Sequence, residues 1–256
     1  MSEVGDESHD LSEVLSGALY EVLIKIHNKR WNAATKPSDT AATRFSKSGK
    51  ALWESAQQFK RMTLRALDYL PPGQIIFADY ARAVIATDQA SHPDDTEERS
   101  WLKQEFVKRG IVANEQALEV TVPDVNFGNI NLETLLKDDA AARTFVEQNR
   151  KLIGIPIGAA FKVGPRLDVT KKYYHRAKGP NKSKESEVRE CLIKVHWTDP
   201  EDNQLIVGTT LAIDWKTRQL RVLLTSSHRD RPEEKLVQAN ARIKALKRAG
   251  SISCCK

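Results

Sequence analysis

The sequence predicts an all-α lobe over residues 1–113, a helix bundle, followed by an α+β domain with a mainly antiparallel sheet over residues 114–256. Three observations carry that expectation. Apolar residues recur every three or four positions through most of the first half. In the second half they gather into short runs rich in β-branched residues and punctuated by turn formers. The charge balance shifts at the same place, with 15 Lys+Arg against 16 Asp+Glu over 1–113 and 25 against 18 over 114–256. A chain of 256 residues has room for two small domains at roughly 100–200 residues each.

A hydrophobic content of 40% with 29% charged residues excludes a wholly disordered chain. No run of about 18 apolar residues occurs, so no membrane-spanning helix is expected. The acidic start Met1–Asp10 lacks the apolar stretch of a secretory signal. Cys191, Cys254 and Cys255 make no disulfide framework and lack zinc-site spacing. A reducing, cytoplasmic setting is the default expectation.

Leu11, Val14, Leu15, Ala18, Leu19, Val22, Leu23 and Ile26 line one face of a first helix. Asp10 is placed to cap it, and Glu13 completes a D-x-x-E capping box. His9 then stands just before the positive end of the helix, where the field favours a neutral imidazole. Asn32 to Lys50 reads as a polar loop. A second helix spans about Gly49 to Leu70, with Leu52, Ala56, Phe59, Thr63, Leu67 and Leu70 along its apolar side, and Pro71-Pro72-Gly73 stops it. Phe77 to Ala90 makes a third, closed by His92-Pro93. A fourth runs from Asp95 to Arg109, acidic at its start and basic at its end, with Gly110 as C-cap.

Ala117 to Val122 alternates like a short strand. Asn131 to Arg150 has helical spacing. Candidate strands follow at 153–163, 167–174, 188–197, 205–215 and 219–226, the last two as a hairpin. Gly179 to Ser186 is a charged loop, and a basic helix from Pro232 to Ala249 closes the chain. Trp197 and Trp215 read as core. The lysines near 171–184 read as a solvated loop. Their functional alternative is a basic surface of Lys171, Lys172, Arg176, Lys178 and Lys182 with Tyr173 and Tyr174 as stacking groups. Residues 229–256 add eight Lys+Arg against three Asp+Glu.

No glycine-rich phosphate loop, G-x-S-x-G elbow or H-E-x-x-H helix is present. The best chemical candidate is Asp6-Glu7-Ser8-His9-Asp10. A histidine at a helix N-terminus beside carboxylates can be held in one tautomer and donate to a developing oxyanion. Its structural alternative is a capping segment with a surface histidine.

The segment from His9 through Ser16-Gly17 to Tyr20 resembles the stretch that follows the metal helices in thermolysin-like (gluzincin) zinc metallopeptidases. The later series agrees in order: Phe59, Ala66-Leu67, Tyr69-Leu70 and the prolines, then Phe77, Ala83, Ala86 and Asp88, then Trp101 and Gly110-Ile111. Together these resemble the helical C-terminal lobe of that family over about residues 6–112. The resemblance implies that His9 is the oxyanion donor and that Asp6, or alternatively Asp10, orients it. It also implies zinc in the full-length family, bound by an H-E-x-x-H part that this chain lacks, and a peptide or protein substrate. The chain by itself is therefore expected to hold no cofactor and to hydrolyse no peptide bond. The competing expectation is a non-catalytic binding protein that meets a polyanion or protein partner through residues 171–184 and 229–256.

Overall fold

Four helices lead the chain: α1 (Ser8–Ala34), α2 (Ala41–Tyr69), α3 (Phe77–Ser91) and α4 (Glu97–Lys108). The computed structural model describes residues 8–91, 96–176, 183–203 and 205–226. Helix α1 is already formed at Ser8, so the expected cap at Asp10 lies inside its first turn. The polar stretch expected as a loop shrinks to residues 35–40. Thr40 shortens it by accepting from the Thr43 N–H at 3.2 Å, and Asp39 accepts from the Lys36 N–H at 2.7 Å. Alanine-rich flanks then carry both helices toward the turn. At the other end of the bundle, Gly110 (φ 66°) closes α4 in a Schellman arrangement, with Gly110 N–H on Val107 O and Ile111 N–H on Phe106 O, both at 2.9 Å.

Helix α2 turns a different side inward from the one its large apolar residues suggest. The buried row is Ala51, Ser55, Gln58, Met62, Ala66 and Tyr69, while Leu52 and Leu67 are exposed. Small side chains allow close approach of neighbouring helices, and Gln58 is buried because Arg30 of α1 donates to it at 2.6 Å. The bundle is further tied by Lys25–Glu105 (2.8 Å) and Lys29–Glu98 (2.9 Å) between α1 and α4, and by Arg99–Asp88 (3.0 Å) between α4 and α3.

A 3-10 turn over Glu115–Leu118 stands where a short strand was expected, nucleated by Asn114, whose side chain accepts from the Ala117 N–H. The single helix expected over Asn131–Arg150 is three: α5 (Leu132–Lys137), α6 (Asp139–Gln148) and α7 (Arg150–Ile153). The break comes at Asp138, which caps α6 by accepting from the Ala140 and Ala141 N–H groups. Residues 154–160 are not strand; Gly154 and Gly158 sit at φ 85° and 79° there.

The sheet is an antiparallel meander of β1 (Phe161–Arg176), β2 (Ser183–Thr198), β3 (Ile206–Asp214) and β4 (Leu220–Thr225), in the order β1-β2-β3-β4. Residues 183–186, expected in a loop, pair in β2 with 173–176. Alternate side chains enter different cores, as the period of two requires. Leu192, Ala212, Val222 and Leu224 join the core of α1–α4, and Cys191, Ile193, Leu211 and Ile213 join that of α5–α7. Helices thus cover both faces. Residues from both sides of position 113 share the first core, Leu102 and Phe106 before it and Val120 and Leu192 after. Trp197 is buried, whereas Trp215 is half-buried, with the Arg189 guanidinium 3.7 Å from its ring centroid. The basic helix expected over Pro232–Ala249, His92-Pro93 and Cys254-Cys255 lie outside the described residues.

The Pro71-Pro72-Gly73 stop also fastens α2 to the sheet. Leu70 O, left free at the helix end, accepts from Lys194 Nζ at 2.8 Å and Thr210 Oγ1 at 2.9 Å. A Cβ on Gly208 would overlap the Pro72 carbonyl oxygen, whereas one on Gly49 in α2 would meet nothing within 4 Å. Gly208→Ala is expected to destabilise the protein by about 1–3 kcal/mol through overpacking. Gly49→Ala should stabilise it by about 0.5–1 kcal/mol. Urea unfolding of the two variants beside the parent checks both signs.

Candidate functional site

His9 and Asp10 lie in the first turn of α1, and Asp6 lies outside the described residues. Adjacent helical positions are about 100° apart, so 9 and 10 head different rows of α1. Position 9 heads the row that continues through Glu13, Ser16, Tyr20 and Ile24, all exposed. Position 10 heads a row a third of a turn away. The frame behind the His9 row is firm. Val14, Ala18, Val22 and Ile26 are buried on the opposite side. Gly17 lies against the Arg109 guanidinium, whose Nη1 is 2.6 Å from where a Cβ would stand.

Among the described residues no three His, Cys, Asp or Glu side chains come together as a metal site. The Cys191 thiol is buried, and burial pushes its pKa up to about 12, so it is no nucleophile. A cleft of about 410 Å³ opens between α3, β4 and the 120–124 segment. In its lining Asp124 accepts from Gln219, and Arg221 donates to Glu190 and to Ala90 O.

The strongest cluster of ionisable groups lies where α2 meets the sheet, and the sequence reading missed it. Glu190 is fully buried. Its Oε2 accepts from Tyr69 Oη at 2.8 Å and its Oε1 from Arg221 Nε at 2.9 Å. Lys171, expected in a solvated loop, is only 3% exposed. Its Nζ is 3.3 Å from Glu190, 3.5 Å from Asp68 and 3.7 Å from the centre of the Tyr69 ring. The signal available in the sequence was weak: Glu190 stands immediately before the apolar run Cys191-Leu192-Ile193. Glu190 is wholly enclosed by these partners, and the cluster ties α2, β1, β2 and β4 together.

Comparison with protein-family models, with curated proteins and with solved structures returned no match.

Removing Glu190 takes the nearest carboxylate from the buried Lys171 and the Oε2 acceptor from Tyr69 Oη, while Arg221 keeps Asp214 and Ala90 O. Glu190→Ala is expected to cost about 3–5 kcal/mol, read as a lower denaturation midpoint. Lys171 adds a pH signature. Burial, the dominant cause, holds its pKa below the ordinary 10.5 despite the pull of Glu190 and Asp68. The unfolded chain therefore binds more protons in the window just below 10.5, and this group's contribution to stability rises with pH there. Relative to Lys171→Met, the parent should gain stability as pH approaches 10.5; a constant gap across that window would refute the assignment.

Proposed function

We propose that this chain is the helical, C-terminal part of a thermolysin-like zinc peptidase system, presenting His9 as the donor to the oxyanion of a peptide bond under hydrolysis. The observation that carries the reading is the outward row on α1. Position 9 stands at its head, with exposed Tyr20 and Ile24 further along it. These apolar side chains on an otherwise firmly packed helix suit a surface that meets a second structural half. The resemblance of residues 6–112 to the family supports the same reading. Zinc would have to be held by residues beyond those described, so no chemical step is assigned to it here.

Within this reading the work of the chain is positioning. The Lys25–Glu105 and Lys29–Glu98 pairs hold α1 on α4, so that a donor on the first turn of α1 stays where it is needed. A neutral imidazole there would have one N–H to give. Asp6 or Asp10 is the carboxylate that would select its tautomer.

Sequencing the genomic DNA and transcript on either side of this coding region tests the reading first. An H-E-x-x-H helix in frame or in an adjacent reading frame supports it; a locus without one refutes it. In the assembled protein, His9→Ala should raise the barrier to peptide hydrolysis by about 2.7–4 kcal/mol and leave zinc content unchanged. Full activity in that variant would reduce His9 to part of a helix start.

A second reading is favoured by one feature of the sheet. β1 and β2 pair as far as Arg176↔Ser183, but β3 pairs with β2 only from Glu190 onward. A two-stranded ribbon thus runs past β3 by roughly 20 Å, at about 3.3 Å per residue. Besides the buried Lys171, residues 170–189, which include the ribbon, hold six Lys+Arg against two Glu. Such a ribbon suits a polyanion, and its affinity for heparin or duplex DNA should fall steeply between about 50 and 200 mM salt; salt-independent binding would remove this reading.

A further inference from the structure

The bundle leaves one face of α2 uncovered, and its most exposed part lies toward the start of that helix. Phe45 is 83% exposed, Trp53 66% and Leu52 56%, and Leu64 and Leu67 continue the apolar row toward the helix end. Leu52 and Trp53 follow Phe45 by seven and eight residues, Leu64 follows Trp53 by eleven and Leu67 follows Leu64 by three, so all five fall on one side of the helix. Monomeric proteins rarely leave so many large apolar side chains together in water.

The charges beside this stripe are nearly all of one sign. Residues 35–60 hold five Lys+Arg against two acids. Both acids are already engaged, Asp39 by Lys47 at 2.7 Å and Glu54 by Arg30 at 3.1 Å. Lys36, Arg44, Lys50 and Lys60 are exposed. Two copies packed through this face would bring cation against cation, with Lys60 within the stripe itself. A nucleic acid would satisfy the cations and stack on Phe45 and Trp53, yet would leave Leu52, Leu64 and Leu67 facing phosphate and water. A partner that is both anionic and apolar beneath its charges satisfies every member of the set.

We propose that α2 seats on an anionic lipid surface, lying in the interface with Phe45, Leu52 and Trp53 below the headgroups and Lys36, Arg44 and Lys50 among them. The chemistry is that of an amphipathic interfacial helix, in which buried apolar area and attraction to anionic headgroups act together. The helix lies on the bilayer and does not cross it; no described helix is long and apolar enough to span one. The geometry separates this surface from the His9 row. α1 and α2 run antiparallel, with Arg30 beside Glu54 and Gln58. His9 is 21 residues from Arg30, so it stands roughly 30 Å from the Trp53 end at 1.5 Å per residue. A lipid-bound α2 leaves the start of α1 free.

Co-sedimentation of the full chain with sucrose-loaded vesicles tests the proposal, using phosphatidylcholine alone and phosphatidylcholine with 30 mol% phosphatidylserine. The expected result is partition to the anionic vesicles, at least tenfold weaker to the neutral ones and weakened by salt. Phe45→Ser/Trp53→Ser and Arg44→Glu/Lys50→Glu should each reduce partition at least tenfold. These positions are exposed, so circular dichroism of both variants should match the parent. Four results would overturn the proposal: no partition to anionic vesicles, equal partition to neutral ones, undiminished partition of both double variants, or a concentration-dependent dimer that Phe45→Ser/Trp53→Ser dissolves. Single-stranded DNA binding lost in that variant, without vesicle binding, would reassign the face to nucleic acid. None of these results depends on His9.

Discussion

The fold depends most on one buried carboxylate. Glu190 sits at the first β2 residue that pairs with β3, and its two oxygens receive Tyr69 from α2 and Arg221 from β4, with Lys171 of β1 beside them. Arg221 in turn donates to Ala90 O at the end of α3. Four separate elements thus meet at one side chain. A strand slipped by one residue would turn Glu190 to the opposite face, among Ile193, Val195 and Leu211 of the other core. The cost of an unpaired carboxylate there is large, whereas a slip among apolar residues alone would cost only packing. The network therefore specifies register more than it adds stability, which is the best-attested use of buried ionic groups.

Helix α2 shows how such a tie shapes what is left outside. The sequence has two apolar rows on this helix, and the bulkier one, with Leu52 and Leu67, looks like the core row. The structure buries the smaller one. Tyr69 has to face Glu190, and its row continues back through Ala66, Met62, Gln58, Ser55 and Ala51. Once Tyr69 is fixed, the helix cannot rotate to hide Leu52. Hydropathy periodicity cannot anticipate this, because the deciding interaction lies 121 residues away in the chain. The exposed stripe is thus a consequence of the same constraint that fixes the sheet.

Much else was legible locally. Pro71-Pro72-Gly73, Gly110 and the acidic start of α4 mark helix limits through backbone sterics and the helix dipole, which act over a turn or less. The antiparallel meander was readable from its alternation and from the Asp214–Arg218 turn. Legibility failed where a polar side chain decided a boundary: Thr40 extends the helix pair into an expected loop, and Asp138 splits one expected helix. It also failed at Ile153–Ala160, where an apolar run looks like a strand but Gly154 and Gly158, at φ 85° and 79°, turn the chain before β1 begins. At the candidate site, the sequence placed His9 just before a helix capped at Asp10, whereas the helix begins at Ser8; only as a helical position does 9 belong to a row, the one through Glu13, Ser16 and Tyr20.

That row bears on how a donor at position 9 could act at all. A hydrogen bond to a developing oxyanion is useful only if its donor is held before the charge appears. The first turn of a helix has no preceding turn to brace it, so its position must be set from behind. Here the bracing comes from the buried row Val14, Ala18, Val22 and Ile26, from two lysine–glutamate pairs to α4, and from Arg109 lying against Gly17. A side chain larger than hydrogen at Gly17 would have to displace that guanidinium. The same bracing leaves Tyr20 and Ile24 in solvent on the donor's side of the helix. A buried row behind is common to any packed amphipathic helix; what the proposed function adds is a use for the apolar Tyr20 and Ile24 in front, as a surface that a second half would cover.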